Sequence, residues 1–396
     1  MSAAPSKLYL SALGVVSPLG ANNAQVLKNL LDGSQAGMLK SSSLLMRGDV
    51  IVGKVTANLP KIDEKLSLHN CRNNRLLLAA LEQIKPQVEC VVKKYGKKRI
   101  AIVLGSSTSG ILEGESALSE FLSTEKFPTD YNYKKQEIGA SAEFLSAYLG
   151  FENISLTIST ACSSSGKVFA SAKNYIQSGI CDAAIVGGVD SLCKLTVNGF
   201  TALESVSSKI CNPFSANRDG ISIGEGAALF ILDKEKSAIE LMGVGESSDA
   251  HHMSAPHPEG AGAETAMLDA LADAQLSPSD IDYVNLHGTA TPKNDDMESR
   301  AMHRVFDAGI LCSSTKPLTG HTLGAAGAIE AAHCWLTLSS LNTKHRLPPH
   351  IWDKKQDVNI PTLNLVESGL TAKIRFAMSN SFAFGGNNVS IILGKT

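Results

Sequence analysis

One cysteine, two histidines and a lysine stand in this chain at turns that close apolar segments, where a side chain can face a crevice. Cys162 lies in Thr160-Ala161-Cys162-Ser163-Ser164-Ser165-Gly166, after a β-rich run at 154–158 and before a helix predicted over 167–176, with Gly179 just past its end. A thiol there meets unpaired backbone N–H groups and the positive end of the helix dipole, both of which favour an anion. Thiolate is the nucleophilic form, so the placement suits covalent catalysis. Taken alone, a cysteine so placed is more simply an inert buried thiol.

His287 stands in Asn285-Leu286-His287-Gly288-Thr289-Ala290-Thr291-Pro292, at the end of a buried strand. A histidine so placed is either a general acid–base or hydrogen-bonding group, or a satisfied core residue. Lys316 and Gly320-His321 form a third motif, again a turn leading into a helix. The fourth, Ser379 to Asn388, reads as a Gly-rich loop between two strands, an ordinary tight turn when considered by itself.

Elements of an α/β protein position these motifs. Apolar β-branched runs alternate with helical segments throughout, the pattern of mainly buried strands. Strands are predicted at 8–16, 100–104, 155–158, 183–186, 227–232, 283–286, 374–377 and 389–393, and helices at 24–31, 75–85, 166–177, 264–274, 296–306 and 325–338. The segment around Cys162 (strand, turn, helix of small residues) is echoed by Ser313 to Gly327. Small residues on both helices permit close packing at the centre of a fold. Two similar halves are therefore expected, residues 1–240 and 241–396, joined near 235–245.

The bulk numbers narrow the function. The chain has 396 residues, 43% hydrophobic and 19% charged, with a net charge of −2, so a large core is easily supplied. Such a balance gives no general attraction to nucleic acid or anionic lipid. The basic run Lys93 to Arg99 reads as a solvated loop before a strand. Eight cysteines are scattered without C-x-x-C pairs or metal-ligand spacing, a usage that suits a reducing compartment. No apolar stretch is long enough to span a bilayer, and the short run at 8–16 lacks a cleavage motif, so a cytoplasmic protein is expected.

Two further patterns carry weaker chemistry. Gly220-Ile221-Ser222-Ile223-Gly224 fits the G-x-S-x-G elbow of serine hydrolases, but a strand-like run follows where that elbow needs a helix. His251, His252 and His257 lie among Met253, Pro256 and Pro258 without spacing that would aim them together at a metal. A structural or entrance-lining loop is expected there, and no metal site.

Together the four motifs resemble those of the β-ketoacyl-ACP synthases, elongating condensing enzymes of the thiolase superfamily. The resemblance runs from Leu13-Gly14-Val15-Val16-Ser17-Pro18-Leu19-Gly20 to the closing Gly385-Gly386-Asn387-Asn388 strand. Within the group the chain is most similar to ketosynthases of bacterial aryl polyene clusters, on the stretches Gly243 to Ala250, Ala255 to Gly260 and the Phe-Ala-Phe form of the last loop. This resemblance implies a five-layered αβαβα thiolase fold and a decarboxylating Claisen condensation. It implies no cofactor beyond substrates carried on the phosphopantetheine of acyl carrier protein. The partners implied are that carrier protein and a second subunit, either identical or a related ketosynthase-like chain.

Residue by residue, the resemblance makes Cys162 the nucleophile and assigns malonyl decarboxylation to His287 and His321. Lys316 takes a structural and electrostatic role, with Glu298 as its ion-pair partner. Thr289 and Thr291 match positions that hydrogen-bond the phosphopantetheine arm. The backbone N–H groups of Cys162 and Phe384 hold the oxyanion, and Phe384 matches a gatekeeper. Ala383 stands where relatives usually carry Gly, and Asn387-Asn388 where they carry Thr-Asn; a Cβ at 383 restricts positive φ. Arg72 and Arg75 are candidates for docking an acidic carrier protein. Rival readings are a chain-length-factor-like subunit, which typically lacks the nucleophile, and a thiolase-type acyltransferase, which usually has a second cysteine near the last loop.

Overall fold

The computed structural model describes residues 6–306 and 309–396, so the first five residues of the expected N-terminal half lie outside it. Within it, the apolar runs become strands that line up in the same order twice. The first set is β1 (Leu8–Val16), β2 (Ile100–Gly105), β3 (Ser155–Ile158), β4 (Ala183–Asp190) and β5 (Gly226–Asp233), arranged 3-2-4-5-1. The second is β6 (Ile239–Ser248), β7 (Tyr283–Asn285), β8 (Leu311–Ser313), β9 (Phe376–Phe382) and β10 (Asn387–Lys395), arranged 8-7-9-10-6. Leu8 and Tyr9 of β1 pair antiparallel with Leu241 and Glu240 of β6, joining both sets into one mixed sheet of 11 strands with Asn364–Leu365 at its edge.

The main helices are α1 (Asn23–Leu31), α2 (Arg72–Tyr95), α3 (Ile111–Thr124), α4 (Ala140–Leu149), α5 (Ser164–Gln177), α6 (Lys194–Ala202), α7 (Ala261–Ala274), α8 (Pro292–Phe306), α9 (Lys316–Thr319) and α10 (Ala326–Leu338). Helix α2 covers β1, β4 and β5 on one outer face, and α7 covers β6 and β10 on the other. Between them α5 and α10 each touch strands of both sets. The result is the five-layered αβαβα thiolase fold. Helix α5 crosses α10 so closely that a Cβ on Gly327 would lie 2.6 Å from the backbone nitrogen of Gly166. Phe169 and Phe230 meet edge-on in this centre, 5.5 Å apart. Each such fully buried side chain contributes about 1.5–3 kcal/mol relative to exposure.

Three expectations need correction. Residues 239–248 are strand, so the link between the two sets is the turn at 234–238 rather than 235–245. Gly243 lies within this strand and serves close packing: a Cβ there would lie 2.3 Å from the carbonyl oxygen of Ala270 on α7. The three-residue β8 was not foreseen, being too short to show a period. Finally, β9 continues through Ser379, Asn380 and Ser381, where the sequence predicts a loop. Their polar groups are buried within the sheet, where Ser390 Oγ donates to Asn380 Oδ1 at 2.8 Å. Among the described residues no helix is long and apolar enough to cross a membrane.

Candidate active site

The turn that presents Cys162 is built by its own hydroxyl residues. Ala161 takes φ +53°, a conformation rare for a residue with a Cβ, and so turns the chain out of β3. Ser163 Oγ donates to Thr160 O at 2.8 Å, Ser164 Oγ to Ala161 O at 2.5 Å, and Thr160 N–H to Ser164 Oγ at 2.9 Å. These bonds satisfy the tight turn internally and leave Cys162 two residues before the first residue of α5. Ser165 Oγ then accepts the N–H of Ala328 at 2.9 Å, fastening the turn to α10.

His287 is aimed from its two ends. Glu298, reaching back from α8, accepts the N–H groups of His287 and Gly288, both at 2.7 Å. Lys316 Nζ lies 3.3 Å from His287 Nδ1 and also donates to His287 O and to Glu330 Oε1. The ammonium's three N–H groups are thereby used, and Nδ1 must accept, so the ring proton sits on Nε2. Glu298 is thus a clamp on backbone N–H groups and not the partner of Lys316; the ion pair belongs to Glu330. Sequence reasoning missed Glu330, although a lone carboxylate inside the apolar helix Ala326–Leu338 was a signal for a buried pair.

His321 is held through its backbone. Its N–H donates to Ser222 O at 2.6 Å and its carbonyl accepts from Gly224 N–H at 2.9 Å. The G-x-S-x-G pattern therefore serves as a strip that grips His321. Ser222 Oγ is used by Lys209 O and Cys211 N–H. Asp190, also missed, accepts from Ser106, Ser107 and Thr108 through one carboxylate oxygen and from Ala325 N–H through the other, tying the His321 turn to the end of β2.

These elements bring Cys162 Sγ and one ring nitrogen of each histidine within 4.8 Å of one another. His321 Nε2 is 3.0 Å from Sγ, and the two imidazoles stand edge-to-face with centroids 5.3 Å apart. Burial pushes both histidines well below their usual range, and the Lys316 charge adds to this, so both rings are neutral. Burial raises the Cys162 thiol to about 11, opposed by Lys316 and by the N–H groups of Phe384 and Cys162 that face the sulfur. The resting group is therefore a thiol. Burial likewise raises Glu330 to about 7 and Glu298 to about 8. The trio of Cys162, His287 and His321 offers ligand atoms to a metal, but the Lys316 ammonium beside His287 opposes a cation. Metal-bound histidines usually donate their second N–H to an acceptor, and His287 Nδ1 instead receives one.

A cavity of about 20 Å³ adjoins the sulfur, lined by Phe200, Thr289, Thr291, Phe382 and Phe384 among others. That is room for roughly one water. Thr289 and Thr291 hydroxyls are 3.0 Å apart on its wall. Phe384 also walls an outer cavity of about 270 Å³ that includes Thr291, Lys293 and Ser254. Its ring packs on Phe200 at 5.6 Å and separates the two spaces. Ala383 is not in the left-handed region; the turn's positive φ values fall on Gly385 and Gly386, so the expected restriction at 383 does not arise.

The docking candidates fare differently. The Arg72 guanidinium binds both oxygens of Glu225, whose side chain is 0% exposed, and also Val55 O, so its charge is already committed inside the fold. Arg75 is half-buried. His251 and His257 stand 5.1 Å apart on the loop whose Met253 carbonyl accepts Gly385 N–H, beside the outer cavity. A groove of about 610 Å³ along residues 350–368 lies away from the sulfur.

Comparison with known proteins places this geometry in a class. The family model "Beta-ketoacyl synthase, N-terminal domain" matches residues 9–238, and "Beta-ketoacyl synthase, C-terminal domain" matches residues 238–350. These are acyltransferases that form carbon–carbon bonds. The chain belongs to the β-ketoacyl synthase family. A mitochondrial 3-oxoacyl-[acyl-carrier-protein] synthase of Arabidopsis thaliana is 31% identical, over 98% of this chain and 92% of the relative. Nodulation protein E of Rhizobium meliloti is 31% identical over 96% and 97%. Among solved structures, the ketosynthase ApeO of Xenorhabdus doucetiae, in complex with its chain length factor ApeC, is 47% identical over 100% of both chains, with a TM-score of 0.95. A β-ketoacyl synthase from Burkholderia phymatum STM815 is 26% identical over 99% and 100%, with a TM-score of 0.85.

Proposed function

We propose that Cys162 carries the growing acyl chain of a β-ketoacyl-[acyl-carrier-protein] synthase and that His287 and His321 decarboxylate malonyl-ACP. The observation that carries this reading is the convergence of one sulfur and two neutral imidazoles, from three remote segments, within 4.8 Å. In acylation the thiol attacks the acyl-ACP thioester, its proton passes to His321 Nε2, and the pantetheine thiolate leaves with a proton. The N–H groups of Cys162 and Phe384 hold the tetrahedral oxyanion. Malonyl-ACP then enters past Phe384, with Thr289 and Thr291 along its arm. Loss of CO₂ develops negative charge on the thioester oxygen, where N–H donors stabilise most. The enolate carbon attacks the Cys162 thioester, and the sulfur leaves as thiolate and takes up one proton.

The pathway reading is a specialised polyene or fatty-acid elongation, supported by 47% identity to ApeO. The carrier is an acyl carrier protein, the second subunit a ketosynthase-like chain, the compartment the cytoplasm, and no further cofactor takes part. Residues 1–240 and 241–396 act as two like halves that supply sulfur and imidazoles respectively, a division supported by the repeated strand order. The test is an assay of the purified protein, with its partner subunit, on malonyl-ACP and a panel of acyl-ACPs, reading products by mass spectrometry. Chain extension that survives Cys162→Ala would end this assignment.

A further inference from the structure

His350 is nearly inaccessible, 5% exposed, and does not line the cavity at Cys162. Both of its ring nitrogens are nevertheless used. Nδ1 accepts the N–H of Ser314 at 3.1 Å, and Nε2 donates to the carbonyl of Pro213 at 3.0 Å. Burial lowers the ring to about 4, so it is neutral and its single proton lies on Nε2. The group on the receiving side is a junction. Ser314 Oγ donates to Gly288 O at 2.7 Å and accepts the N–H of Lys316 at 3.3 Å. One serine thus ties the residue after His287 to the residue whose ammonium holds His287 Nδ1.

The donating side leads to the same place. Pro213 precedes Phe214, which has φ +61° and whose N–H donates to Asp295 Oδ2 at 2.7 Å. Asp295 Oδ1 accepts the N–H of Ala290 in the His287 motif at 3.2 Å. The Phe214 ring packs against His350 at 5.9 Å and lies so near Gly288 that a Cβ there would be 2.9 Å from it.

We infer that His350 is a positioning residue for the condensation, a two-ended brace that sets the register of the His287–Gly288 turn against Lys316 and so aims His287 Nε2. This rests on the reading of His287 as a decarboxylation group. A shift of about 1 Å in such a group is enough to cost on the order of a hundredfold in rate. Gln can keep both bonds, Oε1 accepting from Ser314 and Nε2 donating to Pro213, whereas Leu keeps only the volume.

The experiment measures CO₂ release from malonyl-ACP and, separately, alkylation of Cys162 by iodoacetamide, followed on its peptide by mass spectrometry. His350→Leu is expected to lower kcat for CO₂ release by about tenfold or more, with KM little changed and Cys162 alkylation within about twofold of the parent. His350→Gln is expected to recover most of that loss. Ser314→Ala, which removes the junction without touching the brace, is expected to show the same split. Should His350→Leu fold poorly, the comparison of His350→Gln with Ser314→Ala carries the test. Unchanged CO₂ release in His350→Leu, or in Ser314→Ala, overturns the inference, as does a proportional loss of both readouts. A His287→Ala variant runs beside them: if it releases CO₂ at the parent rate, the reading of His287 falls, and the inference with it.

Discussion

The Lys316 ammonium donates to both the Nδ1 and the carbonyl oxygen of His287, while its third N–H is held by the buried carboxylate of Glu330. A cation here does not compete for the reacting proton. It fixes which face of the imidazole is an acceptor and leaves Nε2–H for the pocket. Its charge also helps keep His287 and His321 neutral and opposes the effect of burial on Cys162.

Replacing Lys316 by Met therefore has two separable effects. Glu330 is left buried without a counter-charge, which costs about 3–5 kcal/mol of stability. His287 also loses the donor that sets its tautomer, and CO₂ release from malonyl-ACP is expected to fall about a hundredfold. In the double variant Lys316→Met/Glu330→Gln, stability in urea melts should largely return while decarboxylation stays low. Recovery of both together would mean that the lysine acts on the fold alone.

The division of labour between sulfur and imidazoles gives a second prediction. Cys162→Gln removes the proposed nucleophile but leaves His287 Nε2 and the N–H groups of Phe384 and Cys162 in place. Extension should vanish while malonyl-ACP is still converted to acetyl-ACP. Loss of that conversion in a folded variant would tie decarboxylation to the thiol.

Much of this arrangement was legible in the chain. Three of the four motifs hold the sulfur, the imidazoles and the lysine, because strand–turn–helix punctuation is local and written in Gly, Pro and hydroxyl residues. What was not legible depended on distance in the chain. Glu298 and Glu330 lie 18 positions before and 14 positions after Lys316, on different helices. Only the packed fold shows that Glu298 is consumed by the N–H groups of His287 and Gly288, leaving the lysine to Glu330. His350 lies in a segment with no periodic or motif signal, and Asp190 just past the run at 183–186, which signals a strand but no role for the carboxylate.

Arg72 illustrates the same limit in its consequences. As a docking cation it would, on charge reversal, raise the KM for acyl-ACP and spare the fold. Bound to both oxygens of buried Glu225, it should instead lose about 3–5 kcal/mol of stability on conversion to Glu. Thermal unfolding of Arg72→Glu checks this; an unchanged melting temperature with a raised KM would return the residue to the docking surface.

Phe384 stands between a space of about 20 Å³ at the sulfur and an outer one of about 270 Å³. On the proposed entry past Phe384, an acyl chain passes only when that ring leaves Phe200. Phe384→Ala should speed alkylation of Cys162 by bulky maleimides severalfold while altering small iodoacetamide little. Phe200→Ala, which removes the surface the ring rests on, should act in the same direction. Equal effects on large and small reagents would show that the ring is not the barrier.

Buried neutral histidines make stability depend on pH with a definite sign. His350 falls to about 4 and His333 to about 3 from an ordinary 6.5, in both cases through burial first. Between pH 6.5 and about 4 the unfolded chain binds a proton at each ring and the folded chain does not. Stability is therefore lost as pH falls through this window, by up to about 1.4 kcal/mol per pH unit for each ring. Glu298 and Glu330 act in the opposite sense, because burial raises them to about 8 and about 7, so the folded chain keeps protons that the unfolded chain has released above pH 4.5. The total curve mixes these signs, and a difference between two proteins isolates one. Melts of the parent and of His350→Gln across pH 4.5 to 6.5 should converge as pH falls, since only the parent carries the ring that must stay uncharged. Parallel curves would show that His350 is protonated in the folded chain, with Ser314 N–H then deprived of its acceptor.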